Sequence, residues 1–176
     1  RSSDLTGCTS RLTRSMIAAA RRGLEIARAA GVTTILNPAP AATLDDDMLA
    51  LADFLTPNET EAEALTGLPV TTIAEAEQAA DALLARGVGA VVMTLGEKGA
   101  LYRDHSRSVH VPVIPAGKVV ETTGAGDAFN GGFAVALMVF AGLAALALWL
   151  LRRTVPGEQA PRWLRLATRQ VAARPV

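Results

Sequence analysis

Glu121-Thr122-Thr123-Gly124-Ala125-Gly126-Asp127-Ala128-Phe129 is the stretch whose reading decides the fold of this chain. A strand-like run, Ser108 to Ile114, comes shortly before it, and a long helical pattern follows. Small residues let a backbone approach a ligand closely, and successive N–H groups opening a helix favour negative charge. Asp127, set beside those amides, can accept a proton while they hold an anion. Transfer of a phosphoryl group to a hydroxyl needs that pairing, because its catalysis is mainly positioning and charge stabilisation. A plainer reading also fits: a glycine turn, with Asp127 as an ordinary first-turn helix residue.

Outward from this stretch, the pattern alternates strands and helices. Met16 to Ala30 reads as a helix stopped at Gly31. Val32 to Leu36 reads as a buried strand, apolar and β-branched. Asp45 to Leu51 suggests a short helix, Phe54 to Thr56 a short strand, and Glu59 to Leu65 a helix stopped near Gly67. Thr72-Ile73-Ala74-Glu75 is a capping box before a helix Ala74 to Ala85. Ala90 to Thr94 is the next buried strand, and Leu101 to Arg103 and Val109 to Ile114 read as antiparallel strands around a polar turn. Such alternation predicts an α/β fold with a parallel sheet covered on both faces, where ligands bind beyond the carboxyl ends of the strands. Asn58, Thr94 and Gly96 lie at such ends, and Gly124 opens the last helix.

Two segments sharpen the functional reading. Asp53-Phe54-Leu55-Thr56-Pro57-Asn58-Glu59-Thr60-Glu61 ends a strand with an Asn and a Glu three residues apart. Val91-Val92-Met93-Thr94-Leu95-Gly96-Glu97-Lys98-Gly99 ends another in a glycine-bearing loop. In this order, with Thr-Gly-Ala-Gly-Asp, they resemble the ribokinase-like (phosphofructokinase-B-type) carbohydrate kinases, from about Met16 to Leu137. Asn37-Pro38-Ala39-Pro40-Ala41 resembles the ribose-phosphorylating members in particular. The resemblance implies a three-layer α/β fold, with a mostly parallel sheet between helices. It implies transfer of the γ-phosphoryl group of ATP to a sugar's primary hydroxyl. D-ribose giving D-ribose 5-phosphate is the leading expectation, and a fructose or 2-keto-3-deoxygluconate kinase the alternative.

Residue by residue, the resemblance makes Asp127 the general base, and the amides of Gly124, Ala125 and Gly126 the holders of developing charge. Asn58 and Glu61 would help place Mg²⁺ and the phosphates, partly through water. Thr94, Gly96, Glu97 and Gly99 match the loop lining the ATP site. Glu121 and Thr123 match positions beside a bound K⁺, but the family usually has Asp where Glu121 stands. One extra methylene displaces that carboxylate, and cation sites depend on ligand geometry. Read without the family, Glu61 is a solvated helix residue, and Gly96 and Gly99 belong to an ordinary strand-to-strand turn.

The resemblance implies a partial domain. The N-terminal half, with the sugar site and lid, has no match, and residues 1–15 form an unmatched segment. Residues 16–137 read as the C-terminal part of the kinase domain. Residues 138–176 read as a divergent apolar helix and a basic tail, with an amphipathic helix over Pro161 to Ala173. The abrupt shift in composition suggests a shifted reading frame or a truncated end. Phe133 to Leu151 runs for 19 residues without a charge and ends in Arg152-Arg153, which meets the length criterion for a membrane span. A soluble, cytoplasmic chain is the favoured expectation, because Asp127 opens the same helix and a catalytic aspartate needs a soluble site. A non-catalytic, membrane-attached remnant is the alternative.

Composition agrees. A length of 176 residues suits one domain with a sizeable core. The 17 basic and 17 acidic residues balance, so nothing points to nucleic acid. Residues 1–137 hold 11 Lys/Arg against 16 Asp/Glu, and residues 138–176 hold 6 Arg against the single acid Glu158. The lone Cys8 excludes an intramolecular disulfide and fits a reducing compartment. His105 and His110 lack metal-ligand spacing and read as surface residues. No signal-peptide pattern is visible. No P-loop occurs, and Phe129 stands where a dinucleotide fingerprint needs its third glycine. Oligomeric state is left open.

Overall fold

The computed structural model describes residues 3–39, 44–114 and 124–154. Two compact units divide the chain, Arg1–Gly126 and Asp127–Val176. The first unit is built on a five-stranded sheet in the order β1 (Ile35–Leu36), β2 (Phe54–Leu55), β3 (Ala90–Thr94), β4 (Ala100–Asp104) and β5 (Ser108–Val111). β1, β2 and β3 run parallel, whereas β4 and β5 are antiparallel to their neighbours. The sheet is therefore mixed, and its parallel part is confined to three strands. Chain length explains the change of direction. The links Leu95–Gly99 and His105–Arg107 are tight hairpin connections, whereas a parallel crossover needs about a dozen residues or more.

Helices fill the longer links. α1 (Ser3–Ala29) precedes the sheet and begins earlier than the sequence pattern suggests. α2 (Asp46–Leu49) follows β1, and α3 (Glu59–Thr66) and α4 (Ile73–Ala85) lie between β2 and β3. On α4, Ala76, Ala79, Ala80, Leu83 and Leu84 are buried, the i, i+3, i+4, i+7, i+8 stripe of a helix packed on a core. Three alanines in that stripe let the helix approach the sheet closely. Ala90, Val91, Val92 and Met93 of β3 are all buried. Successive strand residues face opposite sides, so both faces of β3 are covered. Each large apolar side chain sequestered there contributes about 1.5–3 kcal/mol.

The helix ends are specified locally. Thr72 Oγ1 accepts from Glu75 N at 3.2 Å and Glu75 Oε2 accepts from Thr72 N at 3.0 Å, which completes the expected capping box. The Thr71 hydroxyl also donates to Glu75, and this, with the Thr71 and Thr72 amides, holds its carboxyl below the usual range. Arg86, at the end of α4, donates to Asp46 Oδ1, Leu65 O and Leu44 O, each at 2.7 Å. One guanidinium thus ties α4 to the end of α3 and the start of α2.

The edges of the sheet are shorter than the apolar runs. β1 covers Ile35–Leu36 because the Thr34 amide donates to the Asp53 carboxylate at 2.8 Å, not to a neighbouring strand. β5 stops at Val111 because Pro112 has no N–H to donate. Its turn is closed by Asp104. The Ser106 hydroxyl, the Tyr102 hydroxyl and the Ser106 and Arg107 amides all donate to that carboxylate and hold it well below the usual range. The second unit contains most of α5 (Ala125–Thr154), an unbroken helix in which the Phe129 and Phe133 rings stack at 6.3 Å and the Arg153 guanidinium lies 4.2 Å from the Trp149 ring centre. The expected helix Pro161 to Ala173 lies outside the described residues.

Two glycines at positive φ separate conformational need from steric need. Gly67 (φ 71°) ends α3 in open space, whereas a Cβ on Gly99 (φ 96°) would stand 2.0 Å from Val111 O and 2.9 Å from Pro112. Gly67→Ala is expected to cost about 1 kcal/mol, the strain of the left-handed backbone. Gly99→Ala is expected to cost at least twice as much, because the β5 backbone must also move. Urea unfolding of the two variants checks the order, and equal losses would contradict it.

Candidate active site

The site begins where β2 runs out. Past Leu55 the chain continues through Thr56 and Pro57 to Asn58. Thr94 N donates to Pro57 O at 3.0 Å, and Asn58 pairs with Thr94 as an isolated parallel bridge. The carboxyl ends of β2 and β3 therefore lie side by side, where ligands of open α/β sheets bind.

Asn58 is also the N-cap of α3. Its Oδ1 accepts from Glu61 N at 2.9 Å, and Glu61 Oε2 accepts from Asn58 N at 2.9 Å. This reciprocal cap explains the Asn-x-x-Glu spacing on structural grounds. It also corrects one reading of the sequence: Glu61 is not a solvated helix residue but is 8 % exposed. A carboxylate tolerates burial only with partners, and here they are the Asn58 amide and the positive end of α3. Its second oxygen, Oε1, takes no hydrogen bond among the described residues. The Asn58 side-chain NH₂ is likewise unused by the cap. Both elements of the pair thus keep one free polar group at the ends of β2 and β3.

The loop after β3 adds to the same place. Gly96 has φ +50°, and an added Cβ would stand 3.6 Å from Glu59 Oε1. Gly96 is therefore near the first turn of α3, and Glu59 joins the site. The sequence reading missed Glu59, although its place one residue after the cap was a usable signal. Thr94 is half-buried, and Glu97 and Lys98, in a single 3-10 turn Gly96–Lys98, are exposed. Gly99 closes the loop, its O accepting from Leu95 N at 2.8 Å, and its glycine has a packing reason in Val111 and Pro112. His110 is exposed, as expected, yet its ring reaches the loop: Nε2 lies 2.6 Å from Lys98 O.

Gly124, Ala125 and Gly126 open α5, and their amides belong to the first turn, whose N–H groups have no partner within the helix. Gly124 has φ +78°, which explains its glycine. Gly126 is helical, and a Cβ there would meet nothing within 4 Å among the described residues. A backbone requirement is thus confined to Gly124. Asp127 is exposed in the first turn of α5, near the positive end of that helix. It begins the second unit and is described within it. Glu121 and Thr123 lie outside the described residues. Among the described residues, no group of three or more His, Cys, Asp or Glu side chains is placed to hold a metal by itself.

Comparison with known proteins identifies the family. The model of the pfkB family carbohydrate kinases matches residues 7–147. Ribokinase of Staphylococcus aureus is 43% identical over 109 residues, covering 62% of this chain and 36% of that protein. Deoxyribokinase of Salmonella typhi is 45% identical over 112 residues, covering 63% and 36%. The structure of Arabidopsis thaliana ribokinase complexed with ribose and ATP superposes with a TM-score of 0.66 at 35% identity, over 69% of this chain and 39% of that one. The chain spans little more than a third of the length of the curated relatives it matches. With the family model covering most of its residues, the chain belongs to the pfkB family of carbohydrate kinases.

Proposed function

We propose that this chain carries the nucleotide-binding and phosphoryl-transfer part of an ATP-dependent sugar kinase, with D-ribose, converted to D-ribose 5-phosphate, as the leading substrate. The carrying observation is the reciprocal Asn58–Glu61 cap set against Thr94 and Gly96 at the ends of β2 and β3. Relatives named ribokinase and deoxyribokinase favour a pentose over fructose or 2-keto-3-deoxygluconate.

In this reading Asp127 accepts the proton of the sugar's primary hydroxyl as that oxygen attacks the γ-phosphorus of ATP. The amides of Gly124, Ala125 and Gly126 hold the developing negative charge. Glu61, through its free Oε1, and Asn58, through its side-chain NH₂, position Mg²⁺-bound water and phosphate oxygens. The fit is chemical: a hard cation takes oxygen ligands, and Mg²⁺ usually binds one or two carboxylates and otherwise water and phosphate. Bound Mg²⁺ supplies neutralisation of the phosphate charge. Thr94, Gly96, Glu97 and Gly99 line the nucleotide, and Gly99 also packs against Val111 and Pro112. Glu121 and Thr123 are assigned to a K⁺ site.

A second reading rests on α5. Ala125–Leu151 is long and apolar enough to cross a membrane by length and composition. Membrane attachment through this helix competes with a soluble, cytoplasmic chain. Extraction of expressed protein with alkaline carbonate separates the two: a span stays in the membrane pellet and needs detergent for release.

Glu61→Gln is expected to keep the cap, since the amide oxygen still accepts from Asn58 N, but to lose the charge that holds Mg²⁺. ATP affinity should then show little difference with and without Mg²⁺, while the melting temperature stays close to that of the unsubstituted chain. Calorimetric titration with both forms of ATP measures this, and retention of the full Mg²⁺ dependence removes Glu61 from its role.

Ribose-dependent ADP release tests the chemistry. The 176-residue chain alone is expected to turn over well below the roughly 1 s⁻¹ at the lower end of working enzymes. The similarity covers 36% of the Staphylococcus aureus enzyme, and orienting two substrates supplies about 7–11 kcal/mol in favourable cases. Whatever turnover remains should fall about 100- to 10,000-fold in Asp127→Asn, the usual cost of losing a general base. A variant with undiminished turnover excludes Asp127 as the base.

A further inference from the structure

The loop between β3 and β4 is held from two sides by β5. Within the loop, Leu95 N donates to Gly99 O at 2.8 Å, Lys98 N to Leu95 O at 2.9 Å and Gly99 N to Gly96 O at 3.1 Å. Lys98 O takes part in none of these. It accepts instead from His110 Nε2 at 2.6 Å, and since a carbonyl can only accept, the hydrogen sits on Nε2. Across the same peptide, Gly99 is pressed against the backbone of Val111 and Pro112, with no room for a Cβ. Consecutive β5 residues therefore grip the Lys98–Gly99 peptide, His110 through its ring and Val111 through its backbone. The register agrees, with Leu101 opposite His110 and Ala100 opposite Val111.

We propose that His110 is a positioning residue for the nucleotide loop: its Nε2–H fixes the Lys98–Gly99 peptide and so the orientation of the Gly96–Lys98 turn that faces α3. The proposal rests on the nucleotide reading of that loop given above. His110 touches no substrate in this scheme and acts only through Lys98 O. The sequence does not reveal the contact, because His110 lies twelve residues from Lys98 and the strand pairing alone brings them together.

The test compares His110→Phe, which keeps a ring and removes the donor, with His110→Gln, which keeps an N–H at similar reach. His110 is exposed on an edge strand, so either side chain can be accommodated. Calorimetric titration of the full chain with ATP·Mg²⁺ should show His110→Phe binding about three- to tenfold more weakly, the worth of one hydrogen bond. His110→Gln should bind within about twofold of the unsubstituted chain, a rescue that a merely structural role for the ring would not give. Hydrogen exchange in nucleotide-free protein should be faster for the amides of residues 96–99 in His110→Phe and unchanged in His110→Gln. Unweakened binding or unchanged exchange in His110→Phe overturns the proposal, as does equal weakening in both variants. No ATP binding by the unsubstituted chain overturns the nucleotide reading itself, and with it this proposal, whereas the other outcomes leave that reading standing.

Discussion

Glu61 keeps a carboxylate inside the protein at the point where β2 becomes α3, and the arrangement of the site follows from what makes that tolerable. One oxygen is taken by the Asn58 amide, and the Asn58 side chain answers by capping Glu61 N. The exchange sets the direction in which α3 leaves the sheet and leaves Glu61 Oε1 without a partner among the described residues. The Asn58–Thr94 bridge then fixes this corner against the end of β3. Thr94, Gly96, Glu59 and Glu61 share one region because a single helix start is pinned to a neighbouring strand end.

Behind that corner lies a packed core. β3 is covered on both faces, and α4 lies close to the sheet because Ala76, Ala79 and Ala80 face it. Where backbones come closest, glycine is required. A Cβ on Gly89 would stand 2.7 Å from Asp53 O, so the start of β3 can lie against the start of β2 only without one. Gly99 plays the same part where the loop meets the backbone of Val111 and Pro112. Both are glycines of close approach, distinct from Gly67 and Gly124, which serve positive φ in open space.

α5 combines two demands along one axis. Its first turn carries Gly126 and the exposed Asp127, small and acidic, as suits the positive end of a helix. From Phe133 to Leu151 the residues carry no charge on any side, and a helix without a polar face needs apolar surroundings all round. The transition occurs within two turns of Asp127, without a break in the helix.

Much of this was legible in the residues. The Thr72–Glu75 capping box, the β3 run Ala90–Thr94 and the stops at Gly31 and Gly67 depend on local chemistry, and local chemistry is written in consecutive residues. Thr-Gly-Ala-Gly-Asp suggested phosphate chemistry from its own residues, whereas the Asn58–Glu61 spacing did so only through the family resemblance. What tertiary structure alone decided depends on residues distant in sequence. Whether Glu61 is solvated or buried turns on what packs over α3. The close approach of Val111 to Gly99 and the hold of His110 on Lys98 exist only once β5 pairs with β4. Periodicity reports which face of an element is apolar, but not which element meets it. The assignment of Glu61 as a buried cap and of His110 as a contact of the loop therefore had to wait for the fold.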